Sequence, residues 1–91
     1  MIEKYIKINS GLVKIKQGEY ISVQINLDNG LHISETNLSE MGTFIDAFPT
    51  NYGNDLYILY RDSFNNFKNV IVSFINGYAN VSSSTIIYNF S

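Results

Sequence analysis

The stretch Tyr20–Leu27 alternates apolar and polar residues without a break. A period of two places every apolar side chain on one face of an extended chain, so the stretch predicts a half-buried β-strand. The dipeptide Asn29-Gly30 follows soon after. Asn-Gly is favoured in two-residue hairpin turns, because both of its residues readily adopt positive φ. The pattern therefore predicts antiparallel β-structure.

The rest of the chain repeats this pattern, and Asn76-Gly77 supplies a second hairpin signal. Ser82–Ser84 predicts a polar turn. Residues 39–47 begin like a helix, but Gly42 and β-branched neighbours disfavour it, so we expect a loop and a short strand there. Further strands are expected at Ile2–Ile8, Leu12–Lys16, Leu31–Ser34, Thr43–Asp46, Asp55–Arg61, Val70–Ile75, Tyr78–Ser82 and Thr85–Phe90. We predict one all-β domain over residues 1–91, a small antiparallel β-sandwich or barrel of short hairpins.

The strands after residue 55 are apolar on both faces, unlike Tyr20–Leu27. Two-sided burial in a small antiparallel protein requires a second covering layer, which is either an internal sheet or a neighbouring subunit. We favour the neighbouring subunit. The side chains expected at such an interface are Leu59, Ile71, Ile75 and Ile87, which lie opposite Ile58, Val70, Val72 and Ile86.

Charge and composition exclude several classes of partner. The net charge is −2, whereas a nucleic-acid-binding domain needs a basic surface. No apolar run reaches the roughly 18 residues of a membrane helix, and the N-terminus does not resemble a signal peptide, so we expect synthesis in the cytoplasm. With no cysteine, the chain has no disulfide and no thiolate metal site.

Residues with catalytic chemistry are scattered. His32, the only histidine, lies between Leu31 and Ile33 and is best interpreted as an ordinary strand residue. Asp28-Asn29-Gly30 lacks the further ligands of a calcium loop, and no phosphate-binding glycine loop is present. We predict a protein that is not an enzyme and that uses neither a metal nor a cofactor.

One local mixture suits ligand binding. Saccharides are held by aromatic rings and by planar amides and carboxylates. Such residues cluster in the chain at Asn51, Tyr52, Asn54, Asp55, Tyr57, Tyr60, Arg61 and Asp62. The alternative is that the tyrosines pack in the core and the amides solubilise a loop.

The second half of the chain also carries an ordered series of motifs. They are Thr43-Phe44-Ile45, Phe48-Pro49-Thr50-Asn51-Tyr52, the run Val70–Gly77, then Asn80–Ser84 and the terminal Ile86–Ser91. This order resembles the C-terminal head domain of receptor-binding proteins and tail fibres from phages of Gram-positive bacteria. Gly18–Val23 is similar to an early strand of that family. The inserted Asp46-Ala47-Phe48 departs from the family's tight turn, so no binding residue is transferred from it.

The resemblance implies a homotrimeric tip, located on the virion tail, that recognises a host cell-surface or cell-wall saccharide. Such a trimer would cover the second apolar face. Two alternatives remain open at this stage. One is a small phage-encoded inhibitor of a host defence protein, and the other is a structural virion subunit without a ligand.

Overall fold

The predicted alternation forms an antiparallel β-structure in the computed structural model, which describes residues 3–28, 33–75 and 78–89. Eight strands follow one another along the chain. They are β1 (Glu3–Ile8), β2 (Gly11–Lys16), β3 (Tyr20–Leu27), β4 (Ile33–Pro49), β5 (Asp55–Asp62), β6 (Asn66–Ile75), β7 (Tyr78–Val81) and β8 (Thr85–Asn89). The all-β antiparallel prediction is therefore confirmed. Asn29-Gly30, His32 and Asn76-Gly77 lie outside the described residues.

The strands form two sheets that share β4. Strands β1 to β4 make the first sheet, and β4 to β8 make the second. Both sheets turn their apolar faces to one core, and β7 lies against β3 and β4. This packing is a small sandwich. Between the described strands, no pairing joins β1 to β7 or β8, so they do not close a barrel.

The core draws on alternate residues of both sheets, as a period of two requires. In the strands after residue 55, Ile58, Val70 and Val72 are buried. The fully buried aliphatic side chains with the largest volumes are Ile15, Ile21, Ile25, Leu56, Ile58, Val13, Val23 and Val72.

Strand β4 is much longer than the sequence pattern suggests. In place of a loop and a short strand at 43–46, it runs unbroken through Ile33–Pro49. It pairs with β3 up to Met41 and with β5 from Gly42 onward. The prediction of a loop was wrong because β4 passes from one sheet to the other, which interrupts the regular alternation of buried side chains.

A bulge in β4 changes which side chains face the core. Phe44 pairs with Tyr60, but Asp46 pairs with Leu59, so Ile45 is the extra residue. The bulge shifts the alternation by one position. Ala47 is therefore buried, and Phe48 lies on the face away from the core.

The side chain of Gln17 holds β4 where it changes sheets. Its Nε2 donates to Gly42 O at 2.8 Å, and its Oε1 accepts from the Phe44 N–H at 2.6 Å. The Gln17 side-chain amide thus forms hydrogen bonds of the kind that the backbone of a neighbouring strand forms in a sheet. Gly42 is required here because a Cβ would lie 2.7 Å from the Tyr60 ring.

Strands β7 and β8 lie one after the other along the same edge of β6. The chain does not turn back at Ser82–Ser84, contrary to the predicted polar turn. Instead, the Ser82 N–H donates to Ile71 O, and the Ile71 N–H donates to Ser82 Oγ, both at 2.9 Å. A serine hydroxyl thus replaces a ladder carbonyl and holds the chain against β6 where β7 ends.

We expect Gln17→Ala to lower the free energy of unfolding by about 2 kcal/mol, because it leaves the Phe44 N–H without its acceptor. Urea denaturation of the purified domain measures this change. Gln24→Ala is the matched control, since Gln24 Nε2 donates to the Asn26 side chain, two residues away on the same strand, at 3.3 Å. Equal effects of the two substitutions would contradict the role of Gln17.

Candidate functional site

A shallow groove of about 500 Å³ lies where β4 ends and β5 begins. Its residues are aromatic, amide, hydroxyl or proline, and none carries a charge. They are Phe48, Pro49, Thr50, Asn51, Tyr52 and Tyr57. We call this set of six residues the aromatic groove.

Two rings form one wall of the aromatic groove. Phe48 on β4 pairs with Tyr57 on β5, on the face away from the core. Their ring centroids are 5.5 Å apart with a tilt of 44°. Phe48 is 43% exposed, and Tyr52 in the loop is 86% exposed. The aromatic surface is therefore open to solvent.

The loop that carries Asn51 and Tyr52 is closed by its own hydrogen bonds. The Thr50 N–H donates to Asp55 O at 3.0 Å. The Tyr52 N–H donates to the Thr50 hydroxyl at 3.2 Å. These bonds fix the start of the loop and occupy two of its backbone donors.

Neighbouring elements hold the other half of the loop. The Asn9 N–H, between β1 and β2, donates to Gly53 O at 2.7 Å, and the next residue, Ser10, donates to Asn54 Oδ1 at 3.1 Å. The Phe74 N–H of β6 donates to Asn54 O at 3.2 Å. Gly53 has a φ of +87°, and a Cβ there would lie 2.2 Å from Asn9 Nδ2, so this position requires glycine. The loop is thus anchored to both sheets.

The eight residues predicted to bind a ligand do not share one surface. Asn51, Tyr52 and Tyr57 line the aromatic groove, whereas Asn54 serves to anchor the loop. The others belong to β5, where consecutive side chains point to opposite faces. Asp55 begins that strand, Arg61 is exposed near its far end, and Tyr60 and Asp62 point inward.

Sequence reasoning missed Phe48, Pro49 and Thr50 as groove residues. The sequence marks these residues only as part of a motif that resembles the phage receptor-binding family. The signal that would have found Phe48 is its pairing with Tyr57, and that pairing depends on the bulge at Ile45. A bulge of this kind has no clear sequence pattern.

Tyr60 and Asp62 belong to an interior polar cluster. Tyr60 is 1% exposed and Asp62 is 6% exposed. The Tyr60 hydroxyl donates to Glu40 Oε2 at 2.6 Å. Lys68 Nζ lies 2.9 Å from that same oxygen and 2.9 Å from Asp62 Oδ2. We call these four residues the junction cluster, because they connect β4, β5 and β6.

Asp62 also organises the turn that follows β5. Its Oδ1 accepts from the N–H groups of Phe64 at 2.8 Å and Asn66 at 2.9 Å. Burial by itself would raise the pKa of Asp62. The hydrogen bonds from the Asn66 side chain and backbone, from Lys68 and from the Phe64 N–H outweigh it and hold the pKa well below its usual range.

The pKa values of Tyr60 and Lys68 shift in the opposite direction. Burial, followed by the hydrogen bond to Glu40, raises the pKa of Tyr60 to about 12, although a hydrogen bond with Ser84 acts against it. Asp62 first, and then Glu40, raise the pKa of the Lys68 ammonium above its usual range. Because each group is engaged by another, we interpret the junction cluster as structural.

Two further grooves lie on either side of the turn at Gln17–Glu19, with volumes of about 380 and 250 Å³. Both contain charged side chains. The larger one is lined by Lys16, Gln17, Gly18, Glu19, Tyr20, Ser22, Glu35 and Asn37. We call this larger groove the charged groove. It shares no lining residue with the uncharged aromatic groove.

Comparison of the chain with protein-family models, with curated proteins and with solved structures finds no match. The similarity to receptor-binding heads therefore stays a prediction from the sequence. Within the described residues, no helix is long and apolar enough to cross a bilayer, and no group of three histidine or acidic side chains is placed to hold a metal ion.

The junction cluster predicts a loss of stability in alkali. The pKa of Tyr60 in the folded state lies above its ordinary value of 10.0, so folding favours the neutral phenol. That contribution is complete below pH 10 and is lost as the pH rises towards 12. We expect the urea midpoint of the wild type to fall more steeply over this range than that of Tyr60→Phe. Parallel curves would contradict the assignment.

At pH 7, Tyr60→Phe should lower the free energy of unfolding by about 1.5 kcal/mol, the usual cost of losing a hydrogen bond to a charged group. Tyr57→Phe is the matched control. Its ring lies on the face away from the core, so we expect a change below about 0.5 kcal/mol.

Proposed function

We propose that this chain is a non-catalytic binding domain and that its aromatic groove holds a saccharide. The observation that carries the proposal is Tyr52, a large side chain that is 86% exposed on a loop anchored to both sheets. A loop whose backbone is already ordered loses less conformational entropy when it binds a ligand. An open aromatic ring on such a loop suits the apolar face of a sugar ring.

The groups around the ring support the same ligand. Phe48 and Tyr57 extend the aromatic surface, and the exposed Asn51 offers an amide that both donates and accepts hydrogen bonds. Sugar hydroxyls need such paired donors and acceptors. Together with the resemblance to phage receptor-binding heads, this supports a host cell-surface or cell-wall saccharide as the ligand, and the tip of a virion tail as the location.

Self-assembly is a second part of the proposal. Leu59 and Ile71 lie on the face of the second sheet away from the core and are only half-buried. Arg61 and Phe67, which pair between β5 and β6, lie on the same face. Of the predicted interface residues, Ile87 on β8 is exposed, and the side chain of Ile75 lies outside the described residues. Phe48 and Tyr57 of the aromatic groove stand at one end of this same face. We propose that copies of the chain in a homotrimer cover the rest of the face and leave the groove open.

The size of the face is compatible with an interface. It is four strands wide and as long as the eight residues of β5. Ordinary strand spacing and rise give the whole face, including the end that the aromatic groove occupies, a flat area of about 500 Å² before side chains are included. A standard interface buries about 800 Å² on each partner. The outer face of the first sheet carries Lys7 and Lys14, and that of the second sheet carries Arg61 near the far end of β5.

A second candidate function is contact with another protein through Phe64. This side chain is 79% exposed, and its backbone N–H is fixed by Asp62. A rigidly presented aromatic residue is typical of an anchor in a protein interface. This observation favours the inhibitor of a host protein that the sequence left open.

We expect Tyr52→Ala to weaken saccharide binding about tenfold, as the loss of an aromatic contact near 1.4 kcal/mol would do. The stability of the variant should remain unchanged, because 86% of the Tyr52 side chain is exposed. Binding to cell-wall polysaccharide is measured by sedimentation of the protein with the insoluble material. Phe64→Ala is the matched control, with an equally exposed ring outside the groove. If both variants bind like the wild type, the groove is not the binding site.

Light scattering at micromolar concentration tests the homotrimer, for which we expect three times the chain mass of 10.3 kDa. Ile71→Lys should yield monomers, because it places a charge in the covered face. Leu12→Lys is the control on the outer face of the first sheet and should remain trimeric. A wild-type monomer would overturn the assembly, and a trimeric Ile71→Lys would overturn the choice of face.

A further inference from the structure

We infer that the ligand of the aromatic groove is an uncharged saccharide about two pyranose rings long, bound through the apolar faces of its rings. This inference rests on the proposed function, and it narrows the class of ligand. Four features of the structure carry it: the charges around the groove, the use of its backbone donors, its shape and the contrast with the charged groove.

Among the residues that the structure describes, those that line the aromatic groove carry no charge. The nearest carboxylate on β4, Asp46, is two residues from Phe48 and forms an ion pair with Lys4 at 2.6 Å. That hydrogen bond is the main cause that lowers the pKa of Asp46. These two charges are paired with each other. Asp55, which begins β5 two residues before Tyr57, is not among the residues that line the groove.

An anion would also need backbone N–H groups directed into the groove. Two donors of the loop are already engaged, because the Thr50 N–H binds Asp55 O and the Tyr52 N–H binds the Thr50 hydroxyl. A phosphate or carboxylate would have to displace these bonds. Phosphodiester polymers and uronic acids are therefore poor ligands for the groove.

The shape disfavours a small organic cation. A quaternary ammonium group is bound when aromatic rings enclose it. Here Phe48 and Tyr57 form a single tilted wall, and Tyr52 is too exposed to close against them. An open aromatic surface fits a flat ring better than a sphere. The volume of about 500 Å³ is within the range of pockets for drug-sized ligands, which matches about two sugar rings.

The charged groove differs from the aromatic groove because charged side chains line it. Lys16, Glu19 and Glu35 line it, and Tyr20 is its aromatic residue. A ligand with formal charges finds complementary groups there. The aromatic groove offers only amide and hydroxyl groups beside its rings, which matches a ligand made of hydroxyls and C–H faces.

Titration followed by ¹H–¹⁵N NMR tests the inference on the whole chain. The uncharged probes are cellobiose, maltose and lactose. The charged probes are a uronic-acid disaccharide, glycerol phosphate and choline, and every titration is run in 20 mM and 500 mM NaCl. We expect at least one uncharged disaccharide to shift the amide signals of residues 50–52 and 57, with a Kd that changes less than twofold with salt. The Kd should also be unchanged in Asp46→Asn and weakened about tenfold in Tyr52→Ala.

The outcomes separate the two proposals. If only a charged probe shifts these signals, and does so less at high salt, the inferred ligand class is wrong while the groove remains a binding site. If no saccharide of either kind shifts them, or if Tyr52→Ala binds as well as the wild type, the proposed function fails and the inference fails with it.

Discussion

The passage of β4 from one sheet to the other is the constraint on which the rest of the structure depends. One strand of 17 residues serves both sheets, so its middle must leave β3 and join β5. The Gln17 amide binds both Gly42 and Phe44 at that point and satisfies backbone groups that would otherwise lack a partner. The junction cluster then ties the same region of β4 to β5 and β6, through Glu40.

The aromatic groove follows from this geometry. The bulge at Ile45 places Phe48 opposite Tyr57 on the outer face, while it keeps Ala47 in the core. Beyond Pro49, the chain passes beside the β1–β2 turn, which reaches the loop through Asn9 and Ser10. The groove is therefore built by both sheets. Its rigidity is a property of the whole sandwich, and changes in either sheet are expected to reach it.

Sequence reasoning succeeded where the strands are regular. Tyr20–Leu27 has perfect alternation and became β3, and the two-faced pattern correctly separated buried Ile58 from outward-facing Leu59. It failed along β4, because Glu40 and Gly42 occupy inward positions that usually hold apolar residues. It also grouped Tyr60 with Tyr57, although these two residues are three positions apart on β5 and therefore point to opposite faces of the sheet. Pairing register and bulges depend on contacts between distant residues, which local patterns do not contain.

The central claim is that the protein holds its aromatic groove ready before any ligand arrives. Backbone ¹⁵N relaxation of the free protein tests this claim most directly at residues 50–54. The hydrogen bonds to Asn9, Ser10, Asp55 and Phe74 predict order parameters near 0.85, similar to those of the strands. Values below about 0.6 in this loop would contradict the claim, because the groove would then form only when a ligand binds.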